Sequence, residues 1–218
     1  MKRIIRLGMV FLLSFVAYSG YAQTEQESYI AVITERSDKI VAELGINDKQ
    51  QYNQVRDVLV EQYQLLNTHH EAKEEHIKAL KTQFDGQKEK LETERAAYEK
   101  TEAVKLLAIH DSFLTKLAKL IDAEQIDKVK NGMTYGVLPL TYGAYQDMIP
   151  NLTAAQKEKI LAYLIEARER AMDEGGSKEK HGVFGKYKGR INNYLSSEGY
   201  DLKVEGQKWE ERRANKGA

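Results

Sequence analysis

Between Asn131 and Tyr194 the chain concentrates side chains able to hold a polar ring. Tyrosines stand at 135, 142, 145, 187 and 194, with glycines at 132, 136, 143, 182, 185 and 189. Tyrosine offers a flat apolar face with a polar tip, and glycine lets backbone approach a ligand closely. Together they supply the stacking and hydrogen bonding that sugar recognition needs. From Ser177 to Tyr194 five cations (Lys178, Lys180, Lys186, Lys188 and Arg190) accompany a single acid, Glu179. Cations add charge-assisted bonds to a carboxylate, so an acidic glycan is expected over a neutral one. Tyr135, Tyr142, His181, Lys186, Tyr187, Arg190 and Asn193 are expected to line one cleft beside loops at Gly132 and Gly182. Lys186, Arg190 and Tyr194 follow at spacings of four and share one helix face, with Tyr187 at its edge as the stacking ring. The bland alternative has these tyrosines packing helix junctions and these glycines ending helices.

Reaction chemistry has less support. The chain lacks Gly-x-Ser-x-Gly, a phosphate loop, a dinucleotide fingerprint and His-Glu-x-x-His. Asp147, Asp173, Glu174 and Glu179 are acids in the right region, but glycoside hydrolysis needs two carboxyl groups at a set separation. Helix-end and surface roles are expected for them. His69, His70 and His76 lie among Glu71, Glu74 and Glu75, with His70 and Glu74 one turn apart. A metal site needs three or four convergent ligands with support behind them, and polar neighbours on all sides suggest a solvated helix face. No metal, no cofactor and no catalytic residue is therefore expected. A glycan-active enzyme without a recognisable motif stands as an alternative.

These side chains need a scaffold, and nearly all of the chain has helical periodicity. The expected fold is an all-α bundle carrying a long protruding helical hairpin, with Gly/Tyr-rich loops in the C-terminal half. A first helix is expected over about 26–44, ended by Gly45, and a second after Asn47 through Tyr52, Val55, Leu59, Tyr63 and Leu66. From about Glu71 to Lys100 a single longer helix keeps only a thin seam of Ile77, Leu80, Phe84, Leu91 and Tyr98. That narrow stripe suits a coiled-coil hairpin arm, placed at about 67–105 and able to pair two copies of the chain. Further helices are expected over about 104–120, 140–148, 153–172 and 186–197, with one around Trp209. The compact ligand-binding half spans about 121–218. Ile46-Asn47 with Gln50, Ile121-Asp122 with Gln125, and Leu152-Thr153 with Gln156 each resemble a capping box preceded by its hydrophobic staple. Asn151-Leu152-Thr153 also matches a glycosylation sequon, but a helix start explains it better.

The N-terminus points to export. Lys2, Arg3 and Arg6 precede an apolar run from Leu7 to Tyr18, and Gly20-Tyr21-Ala22 gives small residues at a cleavage site. Residues 1–22 are expected to be a signal peptide cut after Ala22, leaving one helical domain over 23–218 in the periplasm or outside the cell. The apolar run is short of the roughly 20 residues a span requires, so the processed chain is not expected to cross a membrane. No cysteine is present, which excludes disulfides and thiolate chemistry. Lysine plus arginine equals aspartate plus glutamate at 33 each, so no global field favours nucleic acid.

The segments GMTYGVLPLTYGAYQDMIPNLTAAQKEKI and SKEKHGVFGKYKGRINNYLSSEGYDL resemble the secreted bacterial family known as domain of unknown function 3826, described as sugar-binding. The resemblance covers essentially the mature chain. It implies a helical extracytoplasmic protein associated with polysaccharide use, and it carries no catalytic residues. A looser similarity, through Leu152 to Gln156, links the chain to periplasmic chaperones of the Leu-Thr-x-x-Gln kind. It implies a chaperone or envelope-stress adaptor as the alternative function.

Overall fold

The computed structural model describes residues 26–216; the expected signal peptide lies outside them. Among the described residues the regular structure is helical throughout, without strands. Eight helices follow in order: α1 (residues 26–42), α2 (Lys49–Gln83), α3 (Lys88–Leu117), α4 (Ala123–Met133), α5 (Val137–Met148), α6 (Ala154–Ala171), α7 (Ser177–Ser197) and α8 (Leu202–Lys216). No described helix is long and apolar enough to cross a membrane. The chain divides into two compact units between Tyr63 and Gln64.

In the first unit α1 and the start of α2 pair antiparallel. The Tyr29 hydroxyl donates to the Tyr63 carbonyl at 3.1 Å, and the Tyr52 hydroxyl to the Asp38 carbonyl at 3.1 Å. Ile33, Ile40, Val41 and Leu44 are buried on α1, with Val55 and Leu59 on α2. Their spacing of three, four and seven is the stripe the sequence displays. Gly45, at φ 69°, makes the left-handed turn that ends α1. The cap of α2 is shifted by one residue from expectation. Asp48, not Asn47, accepts the Gln51 amide at 2.7 Å, because its carboxylate can also complement the helix dipole.

In the second unit the expected single helix over 71–100 is two helices. α2 stops at Gln83, Gly86 adopts φ 72°, and α3 runs unbroken from Lys88 to Leu117. The stop lies at Asp85-Gly86, a turn dipeptide inside the thin seam. The hairpin is real, with its bend at 84–87: His76 stacks on Tyr98 at 3.8 Å, and His69 meets Glu102 at 3.3 Å.

The C-terminal core joins α5, α6 and α7. Ile160, Leu164, Ala167 and Ala171 of α6 pack with Phe184, Tyr187, Ile191 and Leu195 of α7, joined by Leu138, Tyr145 and Ile149 from α5 and its end. Asp122 with Gln125 and Thr153 with Gln156 form complete reciprocal capping boxes at α4 and α6. Two loop expectations fail here. Pro139 lies inside α5, because a proline in the first turn gives up no intrahelical bond. The glycine-rich stretch is not a loop: α7 begins at Ser177 and takes in Gly182, Gly185 and Gly189. Burial of Lys180, Phe184, Tyr187, Ile191 and Leu195 at helical spacing outweighs about 1 kcal/mol of propensity lost at each glycine.

Those three glycines are exposed, and a Cβ at any of them would meet nothing within 4 Å. Alanine there restricts the unfolded chain without a clash. Gly185→Ala with Gly189→Ala is therefore expected to stabilise the fold by about 1–2 kcal/mol together. Urea unfolding of the double variant measures this. A lower midpoint would mean that the glycine face is covered in solution.

Candidate functional site

The turn joining α6 to α7, residues 172–176, is held by side chains from several helices of the second unit. Lys180, only 4% exposed, folds back from the first turn of α7. Its ammonium donates to the carbonyls of Ala171 at 3.2 Å and Met172 at 3.0 Å. Those carbonyls carry the negative end of the α6 dipole, so a cation is the natural donor for them. His70 of α2 donates through Nε2 to the Asp173 carbonyl at 2.8 Å. Gly175 permits that approach, since a Cβ there would lie 3.0 Å from the His70 ring. His110 of α3 donates through Nδ1 to Asp173 Oδ2 at 2.8 Å, and its other nitrogen lies 4.0 Å from Glu169. Lys130 of α4 pairs with Glu169 at 2.7 Å, and buried Arg168 reaches Asp127 and Asn131. The turn is thus tied to α2, α3 and α6, and α6 in turn to α4.

The histidines expected on a solvated face are engaged instead. His69 is buried against Glu102, His70 holds the turn, and His76 stacks on Tyr98. His69 and His70 turn to polar partners, while Glu71, Glu74, Glu75 and His76 are exposed as a solvated face requires. Burial lowers the pKa of His69, with the neighbouring His70 adding to the effect. His69 is therefore neutral near pH 7, and its 3.3 Å contact with Glu102 carries no full positive charge there.

His110 behaves oppositely. Its bond to Asp173, reinforced by the charges of Asp173 and Glu169, raises its pKa against the opposing effects of burial and Lys130. The folded state then holds this proton more tightly than the unfolded chain, whose histidine titrates near about 6.5. The stabilisation is complete below that pH and is lost as pH rises through the folded pKa. The stability difference between the native protein and His110→Gln should shrink as pH is raised from about 5.5 to 8.5. His69 is common to both proteins and cancels in the difference. A gap that stays constant with pH, in urea unfolding at several pH values, would exclude this proton.

Beside the turn lies a cleft of about 640 Å³. Ala103, Leu106 and Leu107 of α3 form one wall, and Val183, Lys186, Tyr187 and Arg190 of α7 the other. Arg170, Asp173 and Glu174 close its end. Three cations therefore converge beside an apolar wall whose Leu107 is 59% exposed. Glu166 organises two of them: it lies 3.1 Å from Arg170 and 3.9 Å from Arg190, and it accepts the Tyr187 hydroxyl at 2.5 Å. The Tyr187 bond, followed by the two arginines, lowers the Glu166 pKa. Burial first, then the bond to Glu166, raises that of the Tyr187 hydroxyl, which stays protonated. The Lys186 ammonium has no side-chain partner among the described residues, which suits it to an incoming anion.

Of the eight expected site residues, the cleft gathers Lys186, Tyr187 and Arg190. Tyr187 is there in a different role. It is 3% exposed and its ring is covered by the Arg190 guanidinium at 4.6 Å, so it props the arginine and offers no stacking face. Tyr135 stacks on His181 at 5.7 Å as a separate pair, with Tyr135 itself at φ 58° in the turn before α5. Tyr142 and Tyr194 pack against the C-terminal core, and Asn193 is exposed on α7 without lining the cleft. The expected single cleft does not form because the helix starts at Ser177 and not near Lys186, so His181 lies on it too, and successive side chains diverge around it. Sequence reasoning missed Arg170, Glu166 and His110. A weak signal existed for the first two, an acid and a base four apart on α6. His110 had none, as its partner lies 63 residues away.

The cleft sets three cations and an apolar wall beside the carboxylates of Asp173 and Glu174, with Glu166 behind the two arginines. The ingredients of the Gly/Tyr run thus divide between this cleft and the packing beneath it. Comparison with curated proteins finds no match for the chain. The family described as "Protein of unknown function (DUF3826)" matches residues 30–215, which is nearly the whole described chain, and the protein belongs to that family.

Proposed function

We propose that the protein is an exported, non-catalytic binder of acidic carbohydrate, with a uronate residue held between α3 and α7. The observation that carries this is the convergence of Arg170, Lys186 and Arg190 on one cleft with an apolar wall. A pyranose carboxylate needs planar and point-charge donors for its anion, and an apolar surface for its C–H face. The arginines supply the first, Lys186 the second, and Leu106 with Leu107 the third. Glu166 and Tyr187 hold both arginines before any ligand arrives, which reduces the ordering cost of binding.

Calorimetric titration of the purified protein with an oligogalacturonate, and with a neutral oligosaccharide of equal length, tests this. Saturable binding of the acid, weakened by salt and at least tenfold tighter than that of the neutral sugar, is the expected result. Equal affinities, or no binding of either, would remove the assignment.

A further inference from the structure

A second cleft lies elsewhere in the same unit, with a volume of about 450 Å³ and different chemistry. Leu140, Ala144 and Met148 of α5 and Leu202 and Trp209 of α8 make it mostly apolar. α8 is clamped over α5. Trp209 Nε1 donates to Asp147 Oδ2 at 2.6 Å, and Arg212 donates to the carbonyls of Asp147 and Met148 at 2.8 and 2.9 Å. The indole is thereby fixed as a wall with its own donor already used.

The remaining polar lining is biased toward donation. Tyr145, whose hydroxyl burial pushes up to about 12, stays protonated and donates to Asn192 Oδ1 at 2.6 Å. That consumes the acceptor end of Asn192 and leaves its two amide hydrogens without an acceptor among the described residues. The Lys188 ammonium, also at this cleft, has no side-chain partner among the described residues. Thr141 adds a hydroxyl, and no acidic side chain lines the space. Arg213 sits 5.1 Å over the Trp209 ring and adds a second positive charge nearby.

We propose that this cleft binds a small amphipathic carboxylate, its apolar body against Trp209, Met148 and Leu202 and its carboxylate on Lys188 and the Asn192 amide. An apolar body alone would leave those donors unpaired, and a cationic or donor-headed ligand would meet like groups. A sugar carrying hydroxyls on every face suits this wall less than it suits the cationic cleft. None of the residues involved lines that cleft, so either site can exist without the other.

The chain contains one tryptophan, and it is in the wall, so intrinsic fluorescence reports occupancy directly. The probes are 3-phenylpropionate and its primary amide, 3-phenylpropanamide. The acid should produce a saturable change in Trp209 emission, with the amide at least tenfold weaker. Lys188→Met should bring the acid down to the affinity of the amide. Leu140→Asp, at a position 71% exposed and so harmless to folding, should weaken the acid tenfold or more by placing a like charge at the mouth. Arg190→Ala should leave the titration unchanged. No saturable change, equal affinity for acid and amide, a preference that survives Lys188→Met, or loss of the signal in Arg190→Ala would each overturn the proposal.

Discussion

Arg190→Ala is expected to weaken oligogalacturonate binding about tenfold, and the double variant with Arg170→Ala about a hundredfold or more. A charge-assisted hydrogen bond to a carboxylate contributes about 1.5–3 kcal/mol, which corresponds to roughly ten- to a hundredfold or slightly more. The lower end applies to each arginine singly. Their side chains are 55% and 65% exposed and share Glu166, so solvent and that carboxylate already screen them. Removing both leaves Glu166 with only the Tyr187 hydroxyl, and its uncompensated charge then repels the ligand. The neutral oligosaccharide, which lacks the anion, should show little change in either variant. Tyr187→Phe provides an internal contrast. It keeps the buried ring beneath Arg190 but deletes the bond to Glu166, so it should cost a few-fold in affinity through the looser arginine. If Arg190→Ala binds the acid as the native protein does, the cleft is not the receptor. If it loses acid and neutral sugar equally, the arginine acts through structure.

The residues that could be read from the sequence are those whose role is local. Both complete capping boxes, at Asp122 and Thr153, were visible because all their partners lie within four positions. The all-helical class followed from apolar residues at three and four, a pattern kept by Ile160 and Leu164 on α6 and by Phe184, Tyr187 and Ile191 on α7. Boundaries failed where tertiary packing competes with local preference. Gly182 and Gly185 argue for a loop one residue at a time, yet a helix through them buries five side chains on one face. At Asp85-Gly86 the reverse holds: the thin apolar seam continues in sequence across a turn signal that the chain obeys.

The site was legible in composition and not in geometry. Lys186 and Arg190 reached the cleft because they are four apart on one helix, a relation that sequence displays. The partners that define their chemistry come from other helices. Arg170 and Glu166 stand on α6, and Leu107 on α3, at separations no local pattern can register. Tyr187 shows the limit most clearly. Its type suggested a stacking platform, but only the structure reveals that a guanidinium already covers the ring. An aromatic residue next to a cation in sequence is thus ambiguous between a ligand surface and a support, and burial decides.

A measurable stability loss is expected on removing the buried charge of Lys180. Lys180→Met keeps an unbranched stem of similar length, so the packing of the first turn of α7 survives while the ammonium disappears. The Met172 carbonyl then loses its donor at a position where the native side chain is 4% exposed, and water has little access to replace it, while the Ala171 carbonyl keeps the Glu174 amide at 3.2 Å. Each buried acceptor left unsatisfied costs about 1–3 kcal/mol, whereas relief from burying a charge returns part of that. A net loss of about 2 kcal/mol is expected in urea unfolding. Lys178→Met, two residues earlier and exposed, should stay within about 0.5 kcal/mol of the native protein. Because Ala171 and Met172 lead directly into Asp173 and Glu174 at the end of the cationic cleft, the Lys180 variant should also bind oligogalacturonate more weakly, with all three cleft cations still present. A Lys180→Met protein as stable as Lys178→Met would show that the α6 terminus does not depend on this ammonium.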